Sequence, residues 1–430
     1  MSPPHFLQLC LEGESIRKNT MSKNFWKAIF IITMFSISVL SSFAQINDFN
    51  EQLQPEIMVP ANQNGYGDGP RQLAQPDDIE FLRDGTLLVS DCFNNRLQHY
   101  DSNGELIKSI SASDLGLEGI ATPTGISQDD EGYIYVSMED AGTVVRLNSD
   151  LTINQRIGSP SEISADDYYK DGNEFNFIKP QGLISTSNGD IIAVDMDKKK
   201  FRKNGVRRFG LRKFNKIENN GVVTYEYDKA FAESQQITTV MHKSEGMAIC
   251  EERNIIFFAE EKPVADEHGN SEKYRFVAGF DLTTGKYLDR LYGVKMENGL
   301  ITKGYIADSI EGIAVYKNWL FMVDEKGGQV WVFDIETGDL AGRWGKPAHY
   351  YCDDESNKVI NGIDYNEQTI MTGGAMPHLL NSWQNNELAS PDGINISTYS
   401  EGAKKLGVVD QWNSRILIYD LEKVLELLVN

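Results

Sequence analysis

Acidic residues occupy matching points in six similar stretches of this chain. Each stretch begins with a turn residue and a polar residue. A glycine follows in most of the stretches, and an apolar strand comes next. The six stretches are QPDDIEF (75–81), TPTGISQ (122–128), KPQGLIS (179–185), KSEGMAI (243–249), SIEGIAV (309–315) and SPDGINI (390–396). The polar residues before the glycine position are Asp77, Thr124, Gln181, Glu245, Glu311 and Asp392. Carboxylates brought together repel one another unless protons or a cation intervene, and oxygen ligands without His or Cys suit Ca²⁺.

A second apolar strand follows each stretch at a regular interval and ends in a polar tip. These strands are LLVSD (87–91), IYVSM (134–138), IAVDM (192–196), FFAEE (257–261), FMVDE (321–325) and GVVDQ (407–411). We take the tip residues as a second set, which consists of Asp91, Met138, Met196, Glu260, Glu325 and Gln411. Glu261 falls one position beyond this set and is left out of the predicted site.

Six repeats of three or four short strands predict an all-β, six-bladed β-propeller with four-stranded antiparallel blades. We place the propeller at residues 71–430 and an N-terminal arm at 45–70. A strand from this arm, PEIMVP (55–60), is expected to complete the last blade and cover its edge. Because the inner strand of each blade lines the central channel, the polar residues before the glycines should form one ring. The acids then lie on one side of it, in blades four, five, six and one.

Two interpretations of these acids stay open at this point. They could hold a metal ion at the axis, or they could cap backbone N–H groups at the blade turns. Zinc is disfavoured because the six His residues fall outside both sets. A long segment between blades five and six, 346–389, is predicted to act as a lid.

A basic run at 197–216 carries ten Lys or Arg residues in an otherwise acidic chain. Most of these charges are expected to be solvated on an outer strand pair. The first two lysines, Lys198 and Lys199, could reach the channel mouth and bind a small anionic, phosphorylated substrate.

Composition and the N-terminus limit the setting in which the protein works. A net charge of −22 argues against a nucleic-acid partner. A basic start, an apolar core and Ser42-Phe43-Ala44 predict a cleaved Sec signal peptide within residues 1–44. We therefore expect a secreted or periplasmic protein, without stable membrane insertion after cleavage, and a monomer. Three cysteines follow the predicted cleavage site, so a disulfide framework is not implied.

Several of these segments resemble the β-propeller phytases, which are calcium-dependent phosphohydrolases. The resemblance rests on QPDDIEF, SEGMA with the later AEE, SIEGIAVY and SPDGI, and it spans most of residues 75–420. It implies that the metal ligands are Asp77, Asp78, Glu245, Glu260, Glu311 and Asp392. It also implies that Glu245 and Glu311 serve the catalytic step and that Lys198 faces substrate phosphate.

Two other families are similar to parts of the chain. GTLLVSDCFNNRLQHYDSNGELI and VVDQWNSRILIYD are similar to NHL repeats, and the EG and PDG segments resemble gluconolactonase-like calcium propellers. Three functions follow as hypotheses. The first is a calcium-dependent phosphoric-ester hydrolase, the second a calcium-dependent lactonase, and the third a non-catalytic binding propeller.

Overall fold

The computed structural model describes most of the chain from Asn47 onward, and these residues belong to the unit Asn47–Asn430. The described ranges are 47–60, 67–160, 167–168, 170–195, 202–203, 206–207, 210–264, 274–297, 300–305, 309–347, 359–360, 363–364, 386–397 and 404–429. The predicted signal peptide, Lys198, Lys199, Cys352 and most of the predicted lid at 346–389 lie outside the described residues.

Six antiparallel four-stranded sheets confirm the predicted propeller. From inner to outer strand, the first three blades are Pro76–Phe81, Leu87–Asp91, Arg96–Tyr100, Leu106–Ser111; Pro123–Gln128, Ile134–Met138, Thr143–Leu147, Ile153–Ile157; and Pro180–Ser185, Ile191–Asp195, Leu211–Asn219, Val222–Tyr227. The last three are Met247–Cys250, Ile255–Val264, Tyr274–Asp281, Tyr287–Tyr292; Ile310–Tyr316, Trp319–Asp324, Gln329–Asp334, Leu340–Trp344; and Pro391–Ile396, Lys405–Asp410, Arg415–Asp420, Ile57–Val59.

The outermost strand of blade six comes from the N-terminal arm, as predicted. Ile57–Val59 pairs antiparallel with Arg415–Asp420, so the two ends of the propeller are joined by hydrogen bonds within one sheet. Phe49 and Leu53 of the same arm are buried in the apolar cluster between blades five and six. The arm therefore covers an edge that would otherwise present unpaired backbone groups.

Apolar side chains fill the spaces between neighbouring blades. Six buried clusters lie around the ring, one at each interface between adjacent blades. At the interface of blades five and six, for example, Trp344 packs edge-on against Tyr419 with ring centroids 5.7 Å apart. Period-two strands with both faces apolar suit this arrangement, because each sheet is covered on both sides by another sheet.

Short elements complete the described structure. The α-helices are Lys229–Ala232, Gln235–Val240 and Leu421–Val429, and the 3₁₀ turns are Cys92–Asn94, Glu251–Arg253 and Gln411–Asn413. Two-stranded pairs form between Ser159–Pro160 and Asn176–Phe177, Arg202–Lys203 and Val206–Arg207, Val294–Glu297 and Leu300–Gly304, Lys346–Pro347 and Glu387–Leu388, and Val359–Ile360 and Ile363–Asp364. Among the described helices, none has the length and apolar character needed to cross a membrane.

The inner strands contact one another in a closed cycle around the axis, and the glycine position makes this close packing possible. A Cβ added to Gly182 would lie 2.1 Å from the carbonyl oxygen of Glu245. One added to Gly246 would lie 2.2 Å from that of Glu311, and one added to Gly312 would lie 2.2 Å from that of Asp392. Each of these glycines thus touches the backbone of the ring residue in the next blade.

A β-bulge accompanies this contact. In five blades the pairing of inner and second strand is irregular at the ring residue and the glycine position, for example between Pro391 and Ile394. A bulge bends the strand locally and changes the direction in which a side chain points. The repeated bulge aims the ring residue at the axis and the glycine at the neighbouring blade.

Replacing Gly312 by Ala should destabilise the protein, because the new methyl group meets a backbone carbonyl that cannot move away. We expect a loss of roughly 2–3 kcal/mol in the free energy of unfolding, measured by urea denaturation. Gly279→Ala is the matched control, since its nearest contact would be an ordinary 3.6 Å. Equal losses for the two variants would contradict the proposed role of the glycine contact.

Candidate functional site

The centre of the propeller contains a cavity of about 270 Å³ that is lined by the inner strands. Five of the six predicted ring residues line it, namely Asp77, Gln181, Glu245, Glu311 and Asp392. The sixth, Thr124, is buried, and its hydroxyl lies 3.1 Å from the carbonyl oxygen of Gln181 and 3.2 Å from the hydroxyl of Ser137. The structure thus brings the four ring carboxylates together around one space.

Asp78 also lines the cavity, but its carboxylate is occupied by backbone groups. It takes the position held by glycine in the other five blades. Its Oδ2 accepts a hydrogen bond of 2.8 Å from the N–H of Ile126, and its Oδ1 accepts one of 2.8 Å from its neighbour Ile79. Asp78 therefore joins blades one and two through a side chain where other blades are in direct backbone contact.

The tightest group of carboxylates consists of Glu245, Glu261 and Glu311. One ligand oxygen from each lies within 4.8 Å of the others. Oε1 of Glu261 and Oε2 of Glu311 are buried, and neither has a hydrogen-bond partner among the described residues. Buried carboxylate oxygens without a donor are costly, so this cluster has the chemistry of a cation site.

Glu261 was missed by the sequence reading, which selected Glu260 instead. Successive residues of a strand face opposite sides, so only one of the two can face the axis. The structure places Glu261 at the cluster with Glu245 and Glu311. Glu260 is fully buried, and its Oε2 accepts hydrogen bonds from the backbone N–H of His242 at 2.6 Å and from its ring at 3.2 Å.

Glu260 shares this anchoring role with residues of other blades. Asp91 accepts a hydrogen bond of 2.7 Å from the backbone N–H of Ala74. Asp195 accepts one of 2.7 Å from the N–H of Ile178, and Asp410 accepts one of 2.6 Å from the N–H of Ala389. Each bond ties the tip of a second strand to the segment that leads into the inner strand. Capping of blade turns, the second interpretation of the acids, describes what these four side chains do in the structure.

The register of the predicted second set was wrong in three blades. In five blades the first residue of the inner strand pairs with one residue of the second strand, and these paired residues occupy equivalent positions. They are Asp91, Met138, Asp195, Asp324 and Asp410. The sequence reading used the following residues, Met196, Glu325 and Gln411. The error arises because the connection between the inner and the second strand differs in length among the blades, so a count along the sequence does not preserve the pairing register.

Polar groups partly compensate the negative charge at the mouth. The ammonium of Lys243 lies 3.2 Å from Oε1 of Glu245 and directly contacts Oε2 of Glu261. Ser309 donates a hydrogen bond of 2.5 Å to Glu311, and the amide of Gln411 donates one to Asp392.

Burial and mutual repulsion raise the pKa values of the ring acids. Burial, followed by the charge of Glu245, raises the pKa of Asp77 and that of Glu311 well above their usual values. Burial, followed by the charge of Asp77, does the same to the pKa of Asp392. Burial raises the pKa of Asp78 to about 7, although its two backbone hydrogen bonds act in the opposite direction.

The predicted phosphate-binding lysines, Lys198 and Lys199, lie outside the described residues. At the end of the same basic run, where side chains are described, Arg212, Lys213 and Lys216 make structural contacts. Arg212 is buried and stacks 3.5 Å over the ring of Tyr168, and Lys216 pairs with Glu131 at 2.6 Å. The expectation that most of this run is solvated stays a prediction, because seven of its ten Lys and Arg side chains lie outside the described ones.

The fold and the axial cavity define this protein as a six-bladed β-propeller. No family model matches the chain, and no curated protein matches it. Similar solved structures include a gluconolactonase from Xanthomonas campestris, at 14% identity and a TM-score of 0.45 over 86% of this chain and 96% of that one. Virginiamycin B lyase from Staphylococcus aureus is similar at 12% identity and a TM-score of 0.40, over 81% of this chain and 95% of that one.

The raised pKa values predict how stability depends on pH when no divalent cation is present. Between the unfolded pKa near 3.8 and the raised folded value, the native state holds a proton that the unfolded state has released. The free energy of unfolding should therefore fall as pH rises from about 5 to 8. Thermal melts in EDTA across this range measure the effect.

Asp392→Asn should flatten this pH dependence, because the amide cannot ionise and still accepts the Gln411 hydrogen bond. Glu422→Gln, on the exposed side of the C-terminal helix, is the control and should leave the slope unchanged. A melting temperature that rises steadily from pH 5 to 8 in EDTA would contradict the interpretation of the ring acids.

Proposed function

We propose that this protein is a calcium-dependent hydrolase of phosphoric esters that acts at the propeller axis. The observation that carries the proposal is the group of Glu245, Glu261 and Glu311, whose ligand oxygens lie within 4.8 Å of one another. The support for phosphoric esters as the substrates comes from the resemblance of the segments that carry the ring acids to the β-propeller phytases. An exported location, secreted or periplasmic, forms part of the same proposal.

The residues at the axis fit a hard cation. All the donors are oxygens, which suits Ca²⁺, and two of them are buried without a hydrogen-bond partner among the described residues. Glu245, Glu261 and Glu311 would hold the ion, and Asp77 and Asp392 complete the acidic side of the ring. Bound there, Ca²⁺ would polarise a phosphoryl oxygen and promote ionisation of a bound water.

Each group at the axis then has a distinct task. Glu245 and Glu311 both line the cavity and belong to the tight cluster, so they would hold the ion at the edge of the space that the substrate would occupy. Glu260 supports the site indirectly, because it fixes the segment that carries Lys243 and Glu245. Lys198 and Lys199 remain proposed contacts for the substrate phosphate.

The two neighbouring glutamates provide a matched pair of variants for the metal site. Glu261→Gln should reduce the rise in melting temperature that Ca²⁺ causes, because a cation ligand is lost. Glu260→Gln should lower the melting temperature itself, because a buried anchor of the His242 turn is weakened, but it should keep the Ca²⁺-dependent rise. The opposite pattern would restore the original assignment of Glu260 as the ligand.

Release of inorganic phosphate from a panel of mono- and diesters tests the activity. We expect turnover with Ca²⁺, none in EDTA, and a loss of at least about a hundredfold for Glu311→Gln, with Glu422→Gln as the control. A parallel panel of lactones separates the second hypothesis. Hydrolysis of lactones alone would contradict the phosphoric-ester proposal, and a Ca²⁺-bound protein without turnover on either panel would favour a binding propeller.

A further inference from the structure

Lys243 is a cation within an acidic cluster. Its side chain is 11% exposed, that of Glu261 is 2% exposed, and the two are in direct contact. The same ammonium lies 3.2 Å from Glu245. It therefore contacts two of the three carboxylates that a divalent cation would use.

The backbone keeps Lys243 at this place. The N–H of Glu261 donates a hydrogen bond of 3.1 Å to the carbonyl of Lys243, so the segment before the inner strand Met247–Cys250 is tied to the second strand at this point. The side chain of Lys243 can change its partners while this backbone hydrogen bond stays in place. It remains within side-chain reach of the cluster whatever occupies the carboxylates.

The negative charge at the cluster is large enough to accommodate both the ammonium of Lys243 and a divalent ion, but the two cannot share the same carboxylate oxygens. Asp77, Glu245, Glu261, Glu311 and Asp392 supply five carboxylates, whereas Lys243 supplies one positive charge. Oε1 of Glu261 and Oε2 of Glu311 are still without donors among the described residues. A divalent ion that uses these oxygens together with Glu245 would compete with the ammonium for Glu245 and Glu261.

We propose that Lys243 exchanges partners when the cation binds. Without the cation its ammonium neutralises Glu245 and Glu261. With the cation bound, the ammonium is released from these carboxylates and binds an anionic oxygen of the ligand beside the ion. The inference rests on the proposed function for the presence of the ion, and it assigns to Lys243 both the affinity for the metal and the preference for an anionic substrate.

The lysine at the corresponding position of blade three behaves differently and serves as a control. Lys179 also lies two residues before a ring residue, but it pairs with Glu139 at 2.9 Å and with Asp140 at 2.7 Å. Neither of these acids belongs to the cluster of Glu245, Glu261 and Glu311. Lys179→Met removes the same charge near the mouth without freeing a ligand of the cluster.

Calorimetric titration of the full chain with Ca²⁺ tests the first half of the exchange. Lys243→Met should bind Ca²⁺ at least about tenfold more tightly than the wild type at low salt, because the competing ammonium is gone. Lys179→Met should change the affinity by less than about threefold, since only the overall charge differs. An unchanged or weaker affinity in Lys243→Met overturns the inference.

Titration with inorganic phosphate in saturating Ca²⁺ tests the second half. Lys243→Met should bind phosphate about tenfold more weakly than the wild type, because one charge-assisted hydrogen bond is lost. Equal phosphate affinity in the two proteins overturns the exchange even if Ca²⁺ binding has tightened. A wild type that binds no Ca²⁺ at all is a separate outcome, and it overturns the proposed function together with this inference.

Discussion

Close backbone contact between neighbouring inner strands is the constraint on which this structure depends. Gly182, Gly246 and Gly312 each touch the carbonyl of the ring residue in the next blade, at distances that leave no space for a Cβ. This contact sets the diameter of the channel and the position of every ring residue at once. The pattern of a polar residue followed by glycine is therefore required first by the packing of the inner strands, whatever chemistry the polar residues perform.

This packing brings several carboxylates close together around the axial cavity, and their burial and repulsion cost folding free energy. Burial and mutual repulsion raise the pKa values of Asp77, Glu311 and Asp392, so the ring acids oppose folding when they are ionised together. Lys243, Ser309 and Gln411 offset part of this cost by direct contacts. Unfavourable groups that persist next to a cavity are typical of sites that bind something.

The two adjacent glutamates after blade four's second strand show where sequence reasoning reached its limit. The AEE segment could be located from the repeat pattern. Whether Glu260 or Glu261 faces the axis depends on the register in which the second strand pairs with its neighbours, and a slip of one residue exchanges the two faces. A count made from the anchoring acids, Asp91, Asp195 and Asp410, would have found it, because these occupy the same column as Glu260.

The sequence by itself determined the number of blades, the closing strand Ile57–Val59 and the ring of polar residues, since these follow from local periodicity and repeated spacing. Tertiary structure alone decided that Asp78 bridges two blades, that Glu260 anchors a turn, and that Lys243 joins Glu245 to Glu261. Such roles depend on which groups from separate blades meet across the axis. A repeat pattern specifies each blade, but only the closed ring specifies what each blade faces.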